Sequence, residues 1–391
     1  FNFREMKMNF NFYMPSKLIF GRGSLNNLHK QKFPGKKALI VTEAIIKELG
    51  YLKMLEEQLN KANISYVLFD KIIPNPIKEH VMEASNIVKK EKCDFLIGIG
   101  GGSSIDSAKS IAIMSTNEGD YWDYVSRGTG KKKAVLNEPL PIIAIATTAG
   151  TGTEVNPWLV ITNGKEKVGF GHYKTFPYLS IVDPELMKTI PPKLTAYQGF
   201  DALFHSSEGY IGKPANEMSD LLALKSMELI GKSLAKAVEN GNDNEARENV
   251  AMASTLSGIV QSISDCTAEH SIEHSLSAYY PKLAHGAGLI AISKAYYTLL
   301  AESHDCDEKM INMAKALGKK DASKPMDFVD ALVELQKACK VDDIKLSDYG
   351  VKREDLPEIA QNSKFTSGLY ENDPHNFSDE DILLVLEKSY K

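Results

Sequence analysis

The chain has 391 residues, 25% of them charged and 43% hydrophobic, with a net charge of −5 at pH 7. That length can carry two domains with a core each, and the acidic balance excludes a general nucleic-acid binder, which needs a basic face. The four cysteines, Cys93, Cys266, Cys306 and Cys339, form no CxxC pair, which excludes a disulfide scaffold or cysteine-rich zinc site and fits a reducing cytoplasm. No apolar run approaches the ~18 residues of a membrane helix, so a cytoplasmic protein without membrane partners is expected. The opening FNFREMKMNF lacks a signal peptide's apolar stretch and cleavage pattern. Met6 and Met8 are candidate starts.

In chain order, FYMPSKLIFGRGSL reads as an extra edge strand or a short hairpin. KKALIVT (36–42) is a compact strand, and IIKELGYLKMLEEQLNKA after it has helical spacing. ISYVLFD (64–70), the helical PIKEHVMEASNIVKKEK and the buried strand CDFLIGIG (93–100) follow. SSIDSAKSIAIM reads as a helix and LPIIAIATT (140–148) as another buried strand. Strands alternating with helices imply a parallel sheet covered on both faces. From Pro184 onward helical patterns dominate, as in NEMSDLLALKSMELIGKSLAKAVE and GLIAISKAYYTLLAES. Pro184, Pro191 and Pro192 punctuate the change. The expected organisation is an α/β domain over 1–184 and an all-helical domain over 185–391, with no internal repeat.

Two glycine-rich loops end buried strands. IGIGGGSSIDSAK places Gly98, Gly100, Gly101 and Gly102 before a helix opening at Ser103–Ser104. A backbone without Cβ atoms can approach a ligand closely, and the helix start offers unpaired N–H groups to a pyrophosphate. This is not the GxGxxG spacing, so a tight turn without a ligand explains one such loop equally well. Asp106 lies within this helix and can accept hydrogen bonds from loop groups or a ribose. The second loop, ATTAGTGTEV (146–155), offers the hydroxyls of Thr147, Thr148, Thr151 and Thr153. Two such loops at the carboxyl ends of parallel strands suit a dinucleotide. Asn75, in IPNP, ends a third strand. Glu43 follows another, where a carboxylate binds a ribose diol and repels a ribose phosphate, or is merely solvated.

The second half holds two polar pairs at i,i+4 spacing. Asp201 and His205 in FDALFHSSEGY share one helical face, and so do His270 and His274 in EHSIEHS. Such pairs are common on solvated faces. Here His285, before a glycine in AHGAGL, adds a third element. Ligands drawn from separate helices are a recurrent way to build a metal site, and a carboxylate with imidazoles suits Fe(II) or Zn(II). The spacing HSIEH is not HExxH, which disfavours a zincin protease.

Taken together, GGGSSIDSAK, TTAGTGTEV, VDPELMKTIPPKLTAYQGFDALFH and EHSIEHSLSAYYPKLAHGAG resemble the iron-containing (group III) alcohol dehydrogenases. DYWDY at 120–124 resembles their butanol-dehydrogenase-like members, and the likeness runs from about residue 9 to the end. It implies a Rossmann-like N-terminal domain and a helical C-terminal domain, the dehydroquinate synthase-like architecture. By that resemblance Asp201, His205, His270 and His285 hold a divalent metal, Fe(II) first and Zn(II) second. His274 stands near nicotinamide and substrate without being a ligand. Gly100, Gly101, Gly102, Ser103, Asp106, Thr147, Thr148, Thr151, Asn75 and Lys167 fall at cofactor positions. Glu43 stands where NAD-using members carry Asp, so NAD(H) is expected over NADP(H). Trp158 falls at a substrate-facing position, or packs within its strand, and Cys266 is expected to line the same pocket. Two departures stand out: Ala146 replaces the usual proline, and the His274–His285 stretch is one residue longer than the family pattern. The implied activity is metal-dependent hydride transfer between a nicotinamide cofactor and a small primary alcohol or aldehyde, by a homodimer. The alternatives are a glycerol dehydrogenase-like or dehydroquinate synthase-like enzyme, or a non-enzymatic metal- or nucleotide-binding protein of the same fold.

Overall fold

The computed structural model describes residues 10–391; Met6, Met8 and the rest of the opening stretch lie outside the described residues. The described chain divides into two compact units: 15–190 with 365–367, and 191–364 with residues 10–14 and 368–391.

The first unit is α/β. Its strands are β1 (Lys17–Phe20), β2 (Lys37–Val41), β3 (Ser65–Phe69), β4 (Phe95–Gly100), β5 (Ile142–Ala146), β6 (Trp158–Asn163), β7 (Glu166–Gly171) and β8 (Leu179–Val182). Six of them form one sheet in the order β1-β8-β5-β4-β2-β3, and every pairing in it is parallel. Side chains alternate across a strand. Thus Ala38, Ile40, Phe95, Ile97, Ile143 and Ile145 face one core. Leu39, Val41, Leu96 and Ile142 face the other. Both faces are buried, which is why these strands read as unbroken apolar runs.

The opening stretch supplies β1, an edge strand pairing parallel with β8, so no hairpin forms there. β8 and the antiparallel pair β6–β7 did not stand out in the sequence. The segment read as one helix after β2 is two, α1 (Ala44–Glu48) and α2 (Tyr51–Lys61). Gly50 between them has φ +81, a left-handed conformation that ends the first helix and costs glycine little. The helices α3 (Lys78–Glu91) and α4 (Gly102–Thr116) complete this unit's α-helical cover.

The second unit is helical: α5 (Pro192–Ile211), α6 (Glu217–Glu239), α7 (Asn244–Ile263), α8 (Ala268–Tyr279), α9 (His285–Ser303), α10 (Asp307–Ala316), α11 (Met326–Ala338) and further short helices. Residues Ala202, Leu203 and Phe204 of α5 are fully buried, as are Met227 and Ile230 of α6 and Leu289 and Ile292 of α9. A helix buried all round is a central helix rather than a surface one, and α5 has that character from Thr195 to Ile211 apart from Gln198. No helix among the described residues is long and apolar enough to cross a membrane.

Candidate functional site

In the α/β unit the two glycine-rich loops lie against each other. Gly101 caps α4 with extended backbone and has no side chain with which to cap the helix's first N–H groups. A Cβ on Gly102 would come within 2.6 Å of Thr151 Cγ2, so only glycine lets the second loop approach so closely. Thr147 N–H donates to Gly100 C=O at 2.9 Å, tying the loops at their roots. Gly100, Gly101, Gly102, Ser103, Thr147, Thr148 and Thr151 are thus gathered at the carboxyl ends of β4 and β5.

Asp106 takes the first of its two possible sets of partners. Its carboxylate accepts from Thr153 Oγ1 at 2.6 Å and from Val160 N–H at 2.9 Å, all within the protein. Burial lifts its carboxyl above the usual range, against the pull of Lys109 and Thr153. Lys109 is fully buried. Its Nζ donates to Thr153 C=O (2.7 Å), Thr153 Oγ1 (2.6 Å), Asn156 C=O (2.9 Å) and Trp158 C=O (2.7 Å). Burial lowers this ammonium to about 8, and Asp106 and Glu154 oppose the shift. Asp106 and Lys109 therefore pin the 153–160 segment to α4.

Lys167 on β7 donates to Asn75 Oδ1 at 3.0 Å, so two expected cofactor-side residues meet. Glu43 follows β2 at the start of α1, and burial raises its carboxyl. The Trp158 ring lies over Gly171 of the paired strand, where a Cβ would come within 2.5 Å of it. That contact accounts for the ring by packing within the β6–β7 pair.

In the helical unit four side chains from three helices converge. Asp201 and His205 lie one turn apart on α5, His270 is on α8, and His285 opens α9. The longer connection from α8 folds as a turn, with Leu283 N–H donating to Tyr280 C=O at 2.8 Å, and delivers His285 to the cluster. Asp201 Oδ1 lies 3.6 Å from His205 Nδ1, 3.5 Å from His270 Nε2 and 3.4 Å from His285 Nε2. Donors about 2.0–2.2 Å from one ion are about 3.3–3.6 Å apart, so the three distances from Asp201 fit a metal; Asp201, His270 and His285 form one group with donor atoms within 4.8 Å of one another, and His205 is grouped with Cys266 and His270. Asp201 Oδ1 and His270 Nε2 are also buried without a hydrogen-bond partner, a costly arrangement unless a cation takes that place. The residues present therefore fit the group that the sequence implies.

The ionisable groups of the cluster are shifted in opposite directions: against the effect of burial, Cys266, Glu208 and Asp201 lift His270 well above the usual imidazole range. Burial alone would raise the Asp201 carboxyl, yet the imidazoles of His205, His285 and His270 hold it well below the usual range. Burial drives His205 down to about 4, keeping its ring neutral, the form that ligates. His274, one turn beyond His270, has its ring 5.5 Å from that of His285 and 6.1 Å from that of His270. It lies outside the group of donor atoms formed by Asp201, His270 and His285. It does lie with Glu273 and His285 in a second group whose donor atoms are within 4.8 Å of one another. Cys266 is buried, with its sulfur within 4.8 Å of nitrogens of His205 and His270, and burial pushes its thiol up to about 12.

The sequence reading missed two carboxylates. Glu208 on α5 accepts a short hydrogen bond from His270 Nδ1, and Glu273 on α8 accepts one from His285 Nδ1. Each lies three residues after a histidine of its own helix, but each engages a histidine of another helix. Local spacing therefore pointed away from the true partners.

Residues 15–184 match the family described as iron-containing alcohol dehydrogenase, and residues 195–390 match that family's C-terminal part. The chain belongs to the iron-containing alcohol dehydrogenase family. It is an oxidoreductase of that type, and a nicotinamide cofactor and a metal accompany the membership. The NAD-dependent methanol dehydrogenase of Bacillus methanolicus is 33% identical over 97% of this chain and 99% of its own. The 1,3-propanediol dehydrogenase of Citrobacter freundii is 32% identical over 97% and 99%. Among solved structures, an archaeal alcohol dehydrogenase from a Red Sea brine pool superposes with a TM-score of 0.92 at 36% identity, covering 98% of this chain and 100% of that one. The NADH-dependent butanol dehydrogenase A of Thermotoga maritima gives 0.88 at 30% identity, covering 99% and 100%. The synthase-like and non-enzymatic alternatives are not favoured.

Proposed function

We propose that this member of the family interconverts a small primary alcohol and its aldehyde with NAD(H), using Fe(II), or Zn(II) in its place, held by Asp201, His205, His270 and His285. The observation that carries the reading is the approach of Asp201 Oδ1 to 3.4–3.6 Å of one nitrogen on each of three imidazoles. The relatives named for methanol, 1,3-propanediol and butanol support a short primary substrate. A divalent ion held there supplies Lewis acidity toward the substrate oxygen, in oxidation and in reduction alike. Asp201 contributes the negative charge among the four donors, and the buried imidazoles contribute orientation. Gly100, Gly101, Gly102 and Ser103, with Thr147, Thr148 and Thr151, offer backbone and hydroxyl donors to a pyrophosphate. Asn75 and Lys167 make a paired polar contact on the same cofactor side. Asp106 acts by holding the second loop's 153–160 continuation in place. Cys266 is proposed to bound the substrate, and Trp158 to pack within its strand pair. A steady-state screen of short aldehydes with NADH and NADPH, after loading with Fe(II) or Zn(II), tests the proposal. No metal-dependent turnover with any of them would overturn it.

His274 is proposed to orient the substrate and carry its proton, because its ring adjoins those of His270 and His285 while it lies outside the group that those two form with Asp201. The His274→Ala variant is expected to retain metal near the wild-type level. Its activity should fall about 100-fold or more, the usual worth of a positioned acid–base group. Stoichiometric metal loss, read by elemental analysis of the purified variant, would instead make His274 a ligand.

Glu43 is proposed to set the preference for NAD(H), since a carboxylate repels a ribose phosphate. Glu43→Gln should raise kcat/KM for NADPH about tenfold, equivalent to about 1.4 kcal/mol. Because burial raises this carboxyl, its charge is complete only above the raised range. The wild-type preference for NADH is therefore expected to be strongest at alkaline pH and to weaken as pH falls. A preference for NADPH at every pH would refute the assignment.

A further inference from the structure

We infer that Glu208 and Glu273 are positioning residues of the metal centre, each holding one ligand histidine by its Nδ1–H so that Nε2 is presented toward Asp201. The inference rests on the proposed ligand set of Asp201, His205, His270 and His285. Two observations carry it.

First, both pairs have the same geometry. Glu208 Oε1 accepts from His270 Nδ1, Glu273 Oε2 accepts from His285 Nδ1, and both carboxylates are fully buried. An ionised carboxylate can only accept, so each Nδ1 must carry the proton. In a neutral ring that leaves the Nε2 lone pair, and both Nε2 atoms lie 3.4–3.5 Å from Asp201 Oδ1. A carboxylate on the far nitrogen of a ligand histidine fixes its tautomer and ring orientation and raises its basicity.

Second, each carboxylate is itself braced. The other oxygen of Glu208 accepts from Thr267 N–H at 2.8 Å and from Thr267 Oγ1 at 2.9 Å. Thr267 Oγ1 lies 2.8 Å from Tyr296 OH, which donates to Asp373 Oδ2 at 2.6 Å. Asp373 Oδ2 in turn accepts from Ala268 N–H at 3.1 Å, at the start of the helix that carries His270. Glu273 packs against Gly288 of α9, where a Cβ would come within 2.9 Å of its Cγ. Glycine there leaves room for the carboxylate to reach His285 at the head of the same helix.

The test uses the full chain loaded with Co(II), whose visible absorption reports ligand geometry, and measures affinity by competition with a chelator. Glu208→Ala and Glu273→Ala are each expected to bind Co(II) about 10- to 100-fold more weakly, with shifted absorption bands. Glu208→Gln and Glu273→Gln, near-isosteric and still able to accept the Nδ1–H, are expected to recover part of that affinity and the wild-type band positions. Wild-type affinity and spectra in both Ala variants would overturn the inference while leaving the ligand set standing. So would losses as large in the Gln variants as in the Ala variants, both folded by circular dichroism. An Asp201→Asn or His270→Ala control that binds Co(II) as tightly as wild type would instead bring down the ligand set itself.

Discussion

Asp201→Asn is expected to strip the purified protein of its metal and to lower alcohol oxidation at least ~1000-fold. Asparagine keeps the shape of the side chain and one carbonyl oxygen but removes the charge. In the structure that charge is the common neighbour of three imidazoles, at 3.6, 3.5 and 3.4 Å, and its carboxyl is held well below the ordinary range by them. Lewis-acid stabilisation of the reacting oxygen is worth several kcal/mol. About 4 kcal/mol corresponds to a ~1000-fold rate effect, at about 1.4 kcal/mol per factor of ten. Dialysis of the wild type against a strong chelator should produce the same loss, and restoring Fe(II) or Zn(II) should recover activity in the wild type but not in the variant. Elemental analysis and steady-state rates check both halves. A variant that keeps full metal and loses less than about tenfold in rate would place the working metal elsewhere.

The second large effect is on stability. Lys109→Ala is expected to destabilise the α/β unit by about 3–5 kcal/mol, the cost of removing one partner from a buried charged network. The Lys109 ammonium is fully buried and donates to three backbone carbonyls and the Thr153 hydroxyl. Without it those carbonyls lose their ammonium donor, and Asp106 loses its neighbouring cation while keeping the bonds from Thr153 and Val160. For a unit of this size the loss corresponds to a Tm lower by roughly 6–20 °C, read by calorimetry. The segment from Thr153 to Val160 adjoins the second glycine-rich loop, so nucleotide affinity should fall with it. A variant melting within about 2 °C of wild type would show that the network is dispensable. Lys109→Arg keeps the charge but adds bulk in a closed site, and overpacking typically costs about 1–3 kcal/mol; its melting point should lie between those of the other two.

Much of the fold was legible in the sequence because its physics is local. Apolar runs such as LIGIG can only be strands covered on both faces, and the helical spacing of α6, α7 and α9 follows from a 3.6-residue period. The four ordered motifs carried the family, and i,i+4 spacing alone put Asp201 beside His205. Gly50 was a visible breaker whose effect, two helices in place of one, depends on its left-handed conformation.

Tertiary structure decided what each of those faces meets. Periodicity says which residues share a side of a helix, but not which helix crosses it. Glu208 lies near His205 in sequence yet bonds His270, 62 residues away, and Glu273 sits between two histidines of α8 yet bonds His285 on α9. The same holds in the α/β unit, where Asp106 could bond a ribose or its own loop until the approach of Thr153 and Val160 chose the loop. His270 and His274 look equivalent on one helical face. The crossing of α5 and the start of α9 separate them: His270 joins Asp201 and His285 in one group of donor atoms, and His274 joins Glu273 and His285 in another. Local spacing thus nominated the polar side chains, and the packing of separate helices determined which of them face one another and with what charge.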